Sequence, residues 1–551
     1  MNKACAQSGR KDFKASLCRD MPWQSPAHRV TFLVCAACLS LYLAYALFLA
    51  HSAIFVGWWE TIYSLLWFGA YAAAIFVLFC CAGRRLSAAQ WANRSARAER
   101  GKASPAFWAI SMGITLVLAG ISFAAIYPGA VTYDVYNQWM QLKTGWFNTW
   151  HPVPHTLLLG LGSLVSGGSY SAVVVLQILA FGAALAYLLD SLRQWGVSKW
   201  LLIAMQVVIV QTPLVSSVLM SAGKDNAMTL GVMVLCAQSM HLYFSGGAWV
   251  RKPRNAIAFG LALAFVTLVR HNGFFYTVPL LVCAFLVCAA GRKRIALSAA
   301  VMAAACLLTS GLIHTALYVV QPEQMLGESI GIPMTVLFDI RAENPEVLDD
   351  ETHEFLQSLI EDEAFEKKYV KTQYNSIKFE WPLEEISHQP PEKLLGMALR
   401  TAISNPRSAF QSINGVTDLV WDVCGNQEGV ERAGNSGDLS EYPHQNTRVN
   451  QWGRALQGLL SAPFDFVGLQ WLCRNIGVQM ALLLLCTLWA LYRNGTRSLL
   501  FAVPMLGYNL ATMLLLCGND ARFFQFTMVV SLPGMCALFW KPDPDTSKTK
   551  Q

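Results

Sequence analysis

Long apolar runs, broken by short polar loops, dominate the chain. About twelve of these runs are long enough to be read as membrane-crossing helices, which need roughly 20 apolar residues each. They fall near Val30–Ala50, Thr61–Cys81, Phe107–Ile126, Tyr170–Leu189, Trp200–Met220 and Ala227–Phe244. The series continues with Ala256–Val269, Tyr276–Ala290, Ile295–Val320, Val478–Leu491, Leu499–Cys517 and Phe523–Trp540. One further apolar stretch, HPVPHTLLLGLGSLVSGG from His151, is short and glycine-rich, and is expected to lie at the outer membrane surface or to re-enter. Counting it as a span would reverse everything after it.

The polar positions set the orientation. With the N-terminus inside, alternate loops carry Arg84, Arg85, Arg94, Arg97, Arg100 and Lys102, then Arg193 and Lys199, then Arg251, Lys252 and Arg254. Arg292, Lys293 and Arg294 follow, then Arg493 and Arg497, then the tail with Lys541. Basic loops mark the cytoplasmic side, so both termini are expected there. The expected organisation is a basic cytoplasmic N-terminus (1–29), a transmembrane domain (30–320) with an outer loop at 127–169, and an extracytoplasmic region (321–477). Closing helices (478–540) and a cytoplasmic tail (541–551) complete it. The acidic run DDETHEFLQSLIEDEAFEKKY reads as a solvated helix followed by loops.

Composition agrees. The chain is 54% hydrophobic and 14% charged, against about 25% charged in soluble domains. The net charge of +7 sits in membrane-flanking loops, which excludes a nucleic-acid groove. Most of the fifteen cysteines lie inside apolar runs, where they read as small packing residues. Walker loops, GxSxG and a strand-linked GxGxxG are absent, which excludes the usual signatures of nucleotide-driven pumps and serine hydrolases.

The chemistry-bearing residues fall on the outer side. In YPGAVTYDVYNQWMQ, Thr132 is a plausible N-cap, which puts Asp134 in the first turn of a helix. Asp134, Gln138 and Gln141 then share a face. Lys224, Arg270 and Arg522 stand at outer ends of spans, where cations are less expected. Beside them are Asp225, Asn226, Asn272 and Asp520, which suggests a shared polar pocket suited to an anionic lipid headgroup. Each of these residues has a plainer reading as a capping acid, a snorkelling base or a salt-bridge partner. His151 and His155 could share a helical face, but two ligands are too few for a metal site.

These motifs, taken together, resemble the polytopic glycosyltransferases of the GT-C fold that use lipid-linked sugar donors. General relatives of that kind include protein O-mannosyltransferases and lipid A aminoarabinose transferases. The resemblance rests on YPGAVTYD, WHPVPHTLL, GKDNAM, RHNG, ESIGIP and DARFF in this order, spanning about Phe107 to Pro533. It looks most like a bacterial membrane family grouped with these enzymes. It departs in having two spans before the one feeding the Asp134 loop, and in lacking a second acid beside Asp134, which weakens a metal-dependent mechanism.

The resemblance implies an all-α polytopic membrane protein of the bacterial cytoplasmic membrane, with a GT-C-like bundle and a small extracytoplasmic region. It implies transfer of a sugar from a polyprenyl-phosphate donor to a glycan, lipid or protein acceptor, with inversion; it fixes no cofactor, and a divalent metal is the less expected alternative. Asp134 would be the general base, and Lys224, Arg270 and Arg522 would hold the donor phosphate. Tyr133, Gln138, His151, His155, Asp225, Asn272 and Asp520 would line the acceptor site or pocket. The rival readings are a transporter or lipid-linked glycan flippase, and a polymerase or ligase working at the same surface.

Overall fold

The computed structural model describes residues 26–88, 101–322, 325–380, 383–425 and 450–540. The basic residues of the first 25 positions, Arg94, Arg97, Arg100, the Gly- and Asn-rich stretch 426–449 and Lys541 lie outside these. The described residues are helical, and the only pairings of β type among them are two isolated bridges. Eight helices are long and apolar enough to cross a membrane, which makes the chain an all-α protein of multi-pass membrane character.

These helices are Pro26–His51, Trp58–Ala82, Pro105–Ala125, Tyr170–Gln194, Lys224–Ser245, Ala289–Ala316, Ile476–Asn494 and Ala521–Phe539. Lys199–Gln211, Pro253–Val269 and His271–Val287 are shorter, as is Leu499–Met513. The expected span Trp200–Met220 is not continuous. It breaks at Thr212, whose backbone is extended (φ −52°, ψ 125°), and restarts as Pro213–Val218. Pro213 has no N–H to continue the first helix, and it disfavours a helical conformation in the residue before it.

Burial sorts the bundle. Lys224–Ser245 is its axis: the most apolar stretch of this helix is 89% buried, and it packs against Tyr170–Gln194, Pro253–Val269 and Gln525–Phe539. Trp58–Ala82 and Ala289–Ala316 have only 11% of their residues buried over the same measure, so each packs on the bundle along one side and leaves most of its side chains at least partly exposed. Apolar residues on such outward faces suit that position only if lipid lies against them.

The helix ends also sort. At one end, Arg193 Nη2 donates to the Lys102 carbonyl (2.5 Å), Arg251 Nε to the Ala290 carbonyl (3.2 Å), and Asn494 Nδ2 to the Tyr243 hydroxyl (2.6 Å). These are the basic loops. The other end carries Asp134, Lys224, Arg270 and Arg522, and the helical region after residue 321 seats beside Arg522, on Leu516, Cys517 and Asn519. That region contains more helix than the sequence suggested. Met334, Leu337, Phe338, Leu356, Phe365, Tyr374 and Met397 form its own core, which Cys517 of the bundle joins. The helix Asp350–Leu359 buries Thr352, Leu356 and Leu359 and exposes its acids, as an amphipathic surface helix should.

Candidate active site at one end of the bundle

The loop bearing Asp134 is held by its backbone. Gly129 adopts φ +115°, and a Cβ there would strike Val174 and Tyr170, so the turn needs glycine. Ala130 N–H donates to the Met220 carbonyl (2.8 Å). The Tyr170 hydroxyl donates to the Ala130 carbonyl (2.7 Å) and accepts from Ala222 N–H (3.1 Å). One phenol thus ties YPGAV to the corner that precedes Lys224. Thr132 then caps the helix Tyr133–Thr144, its hydroxyl accepting from Val135 N–H at 3.4 Å. Gln138 and Gln141 are buried on the face shared with Asp134, as their spacing predicts. Tyr133 is 60% exposed, on a different face of the helix from its neighbour Asp134.

Asp134 Oδ2 lies 3.2 Å from Lys224 Nζ and 3.3 Å from Arg522 Nη1. One carboxylate oxygen therefore joins the start of the Lys224–Ser245 helix to the start of the last one. Arg522 also donates through Nε to Asp520 (2.5 Å). Burial acts to raise the Asp134 pKa, but Lys224 and Arg522 outweigh it and hold the carboxyl far below the usual range. Asp134 and Lys224 remain 20% and 14% exposed, and Arg522 31%, so the group is reachable.

Lys224 also donates to His151 Nδ1 (3.0 Å). Burial and the neighbouring Lys224 push the His151 imidazole down to about 3, so it is neutral at physiological pH. With Nδ1 accepting, the ring proton sits on Nε2. Nε2 is buried and has no hydrogen-bond partner among the described residues, leaving a donor for a bound molecule. His155 is buried and bonds Gln138 Oε1 through Nδ1 (2.6 Å). Both histidines therefore act inside the polar cluster.

Arg270 and Asp225 form an ion pair beneath this level, 5% and 7% exposed. The Arg270 guanidinium lies over the Phe523 ring at 4.6 Å, and that of Arg522 over the same ring at 5.4 Å. Asn272 reaches Thr512 Oγ1 at 3.5 Å, at the margin of the cluster. The three expected cations thus gather at one end of the bundle, each against a carboxylate: Lys224 with Asp134, Arg270 with Asp225, Arg522 with both Asp134 and Asp520.

Several contributors escaped sequence reasoning. His271 Nε2 donates to the Thr149 carbonyl at 3.0 Å, Phe523 supplies the ring that both Arg270 and Arg522 lie over, and Gln525 Nε2 donates to Asn226 Oδ1 (3.0 Å). Both oxygens of Glu328 in ESIGIP accept from Lys378 (2.7 and 2.8 Å), and the Glu328 charge also acts on Arg522. In the same motif, a Cβ at Gly331 would collide with the Leu516 backbone. Gly331 is what lets the outer layer seat on the corner carrying Asp520 and Arg522. Gly331→Ala is expected to cost about 1–3 kcal/mol through overpacking. Thermal unfolding in detergent would read this, and an unchanged midpoint would show that the corner yields.

Compared with family models, with curated proteins and with solved structures, the chain matches none.

Proposed function

We propose that the chain is a membrane glycosyltransferase that moves a sugar from a polyprenyl-phosphate donor to an acceptor hydroxyl at the outer face of a cytoplasmic membrane. The observation that carries this reading is the partly exposed Asp134 carboxylate shared by Lys224 and Arg522 at a helix-end pocket. The GT-C-like bundle of about twelve spans, including the four shorter helices, belongs to the same proposal.

The donor phosphate enters from the lipid side and takes over Lys224 and Arg522, which stabilise the leaving group. His151 Nε2–H supplies a further donor. As these cations shift to phosphate, Asp134 loses the charges that suppress its basicity. It then accepts the acceptor hydroxyl's proton while the new C–O bond forms and the sugar–phosphate bond breaks. Polyprenyl phosphate leaves, and a single displacement inverts the anomeric carbon. Arg270 and Asp225 support the site from beneath through Phe523. The charged cluster lies at one end of the bundle, whereas transporter sites sit near the midplane between repeats, which favours the transferase reading.

The test incubates purified full-length protein in nanodiscs with a panel of polyprenyl-phosphate sugars and measures released polyprenyl phosphate. Release that Asp134→Asn abolishes supports the proposal. Movement of these lipids between leaflets without release would replace it with the flippase reading. Sidedness has its own check. Single cysteines placed at Lys102 and Lys371, in a background lacking other reactive thiols, should label from opposite faces with a membrane-impermeant maleimide. Labelling from the same face would refute the topology.

A further inference from the structure

We infer that His51, Asp422 and Cys424 form a binding site for a divalent zinc-type cation, separate from the Asp134 cluster. His51 is the last residue of the first apolar helix, and Asp422 and Cys424 follow the helix Pro406–Trp421 of the outer layer. Their ligand atoms, an imidazole nitrogen, a carboxylate oxygen and a thiol sulfur, all lie within 4.8 Å of one another. His51 Nε2 and Asp422 Oδ1 are already 3.5 Å apart. Two ligands of a tetrahedral zinc, with bonds of about 2.0–2.3 Å, stand about 3.3–3.8 Å apart.

The surroundings hold the set in place while leaving it reachable. Asp422 Oδ1 accepts from Cys424 N–H (2.7 Å), which folds the chain back so that carboxylate and thiol face the same space. The backbone on either side of Cys424 is fixed, because Trp471 Nε1 donates to the Val423 carbonyl (2.7 Å) and Asn475 Nδ2 to the Gly425 carbonyl (3.1 Å). A Cβ at Gly425 would run into the Asp422 carboxylate, so glycine keeps that side open. The His51 and Cys424 side chains are exposed while the Asp422 side chain is 10% exposed: one fixed ligand and two that can close on an ion.

The donor set chooses the metal. Magnesium and calcium need six or more oxygens, which this site does not offer. Mixed nitrogen, oxygen and sulfur suit zinc, with the fourth position left to water. The bound ion would join the end of the first membrane helix to the outer layer, two parts of the chain 371 positions apart at His51 and Asp422.

The test uses full-length protein in detergent and zinc alone. Alkylation of Cys424 by a maleimide is followed by peptide mass spectrometry across a zinc titration. Zinc should protect Cys424 in the wild type with a saturable curve, and His51→Ala should shift the midpoint to at least about tenfold higher zinc, since even outer-shell losses cost 10–100-fold. Asp422→Asn should shift it likewise. Unprotected Cys424 in the wild type overturns the proposal. Protection that is the same in His51→Ala also overturns it, by showing adventitious zinc on a thiol only.

Discussion

Replacing Asp134 with asparagine is expected to lower donor turnover by about 10²–10⁴-fold, the usual contribution of a positioned general base. The substitution keeps the side chain's size and an oxygen for Lys224 and Arg522, so protein yield should stay normal while the proton acceptor is lost. The resting carboxylate is held ionised by its two cations. Its depressed pKa contributes stability above the unfolded value of about 4. That contribution is lost only as pH falls further through the folded value. In the pH profile of kcat/KM, which reports the free enzyme, an acid limb between about pH 5 and pH 8 should therefore not come from Asp134. Asp134→Glu keeps the charge but displaces it, and a misplacement of about 1 Å can cost about 10²-fold. Steady-state release of polyprenyl phosphate reads all three proteins. Turnover in Asp134→Asn within about tenfold of wild type would leave Asp134 as a structural ion-pair partner, since a base contributes more than that.

The second large effect concerns stability. Arg270→Ala should destabilise the chain by about 3–5 kcal/mol, because it strands Asp225 as an unpaired charge at 7% exposure. Asp225→Leu should do the same to Arg270. Changing both, as Arg270→Met with Asp225→Leu, should recover most of the loss, because no buried charge is then left unmatched. The shift of the Arg270 guanidinium off the Phe523 ring adds a smaller term. Heating followed by fluorescence-detected size exclusion would rank the four proteins. Single variants as stable as wild type would show that water reaches the pair. A double variant as unstable as either single would show that packing, not charge, holds this layer.

Much of this arrangement could be read from sequence, for identifiable reasons. Span parity put Asp134, Lys224, Arg270 and Arg522 on one face, and they meet there, because consecutive membrane helices leave few choices of side. Thr132 as N-cap and the shared face of Asp134, Gln138 and Gln141 followed from helical spacing. Partner choice did not follow. Periodicity says which face a residue occupies, not which of Asp134, Asp225 or Asp520 a given cation will meet. Tyr133, which the resemblance assigns to the pocket, is 60% exposed, and helical geometry sets it about 100° around the helix from Asp134. The break at Thr212 was signalled by Pro213 but hidden by the apolar run around it. Gly331 and Glu328 depend on contacts with Leu516 and Lys378, so their part could emerge only in three dimensions. The same holds for His51 with Asp422 and Cys424.

Asp134 takes one cation from the middle of the chain and the other from its last helix. During synthesis Lys224 emerges long before Arg522, so the carboxylate can meet the first of its two ion-pair partners well before the second exists. A chain that stopped before Ala521 would carry Asp134 with Lys224 but without Arg522, and would also lack the helix that packs on the axis of the bundle.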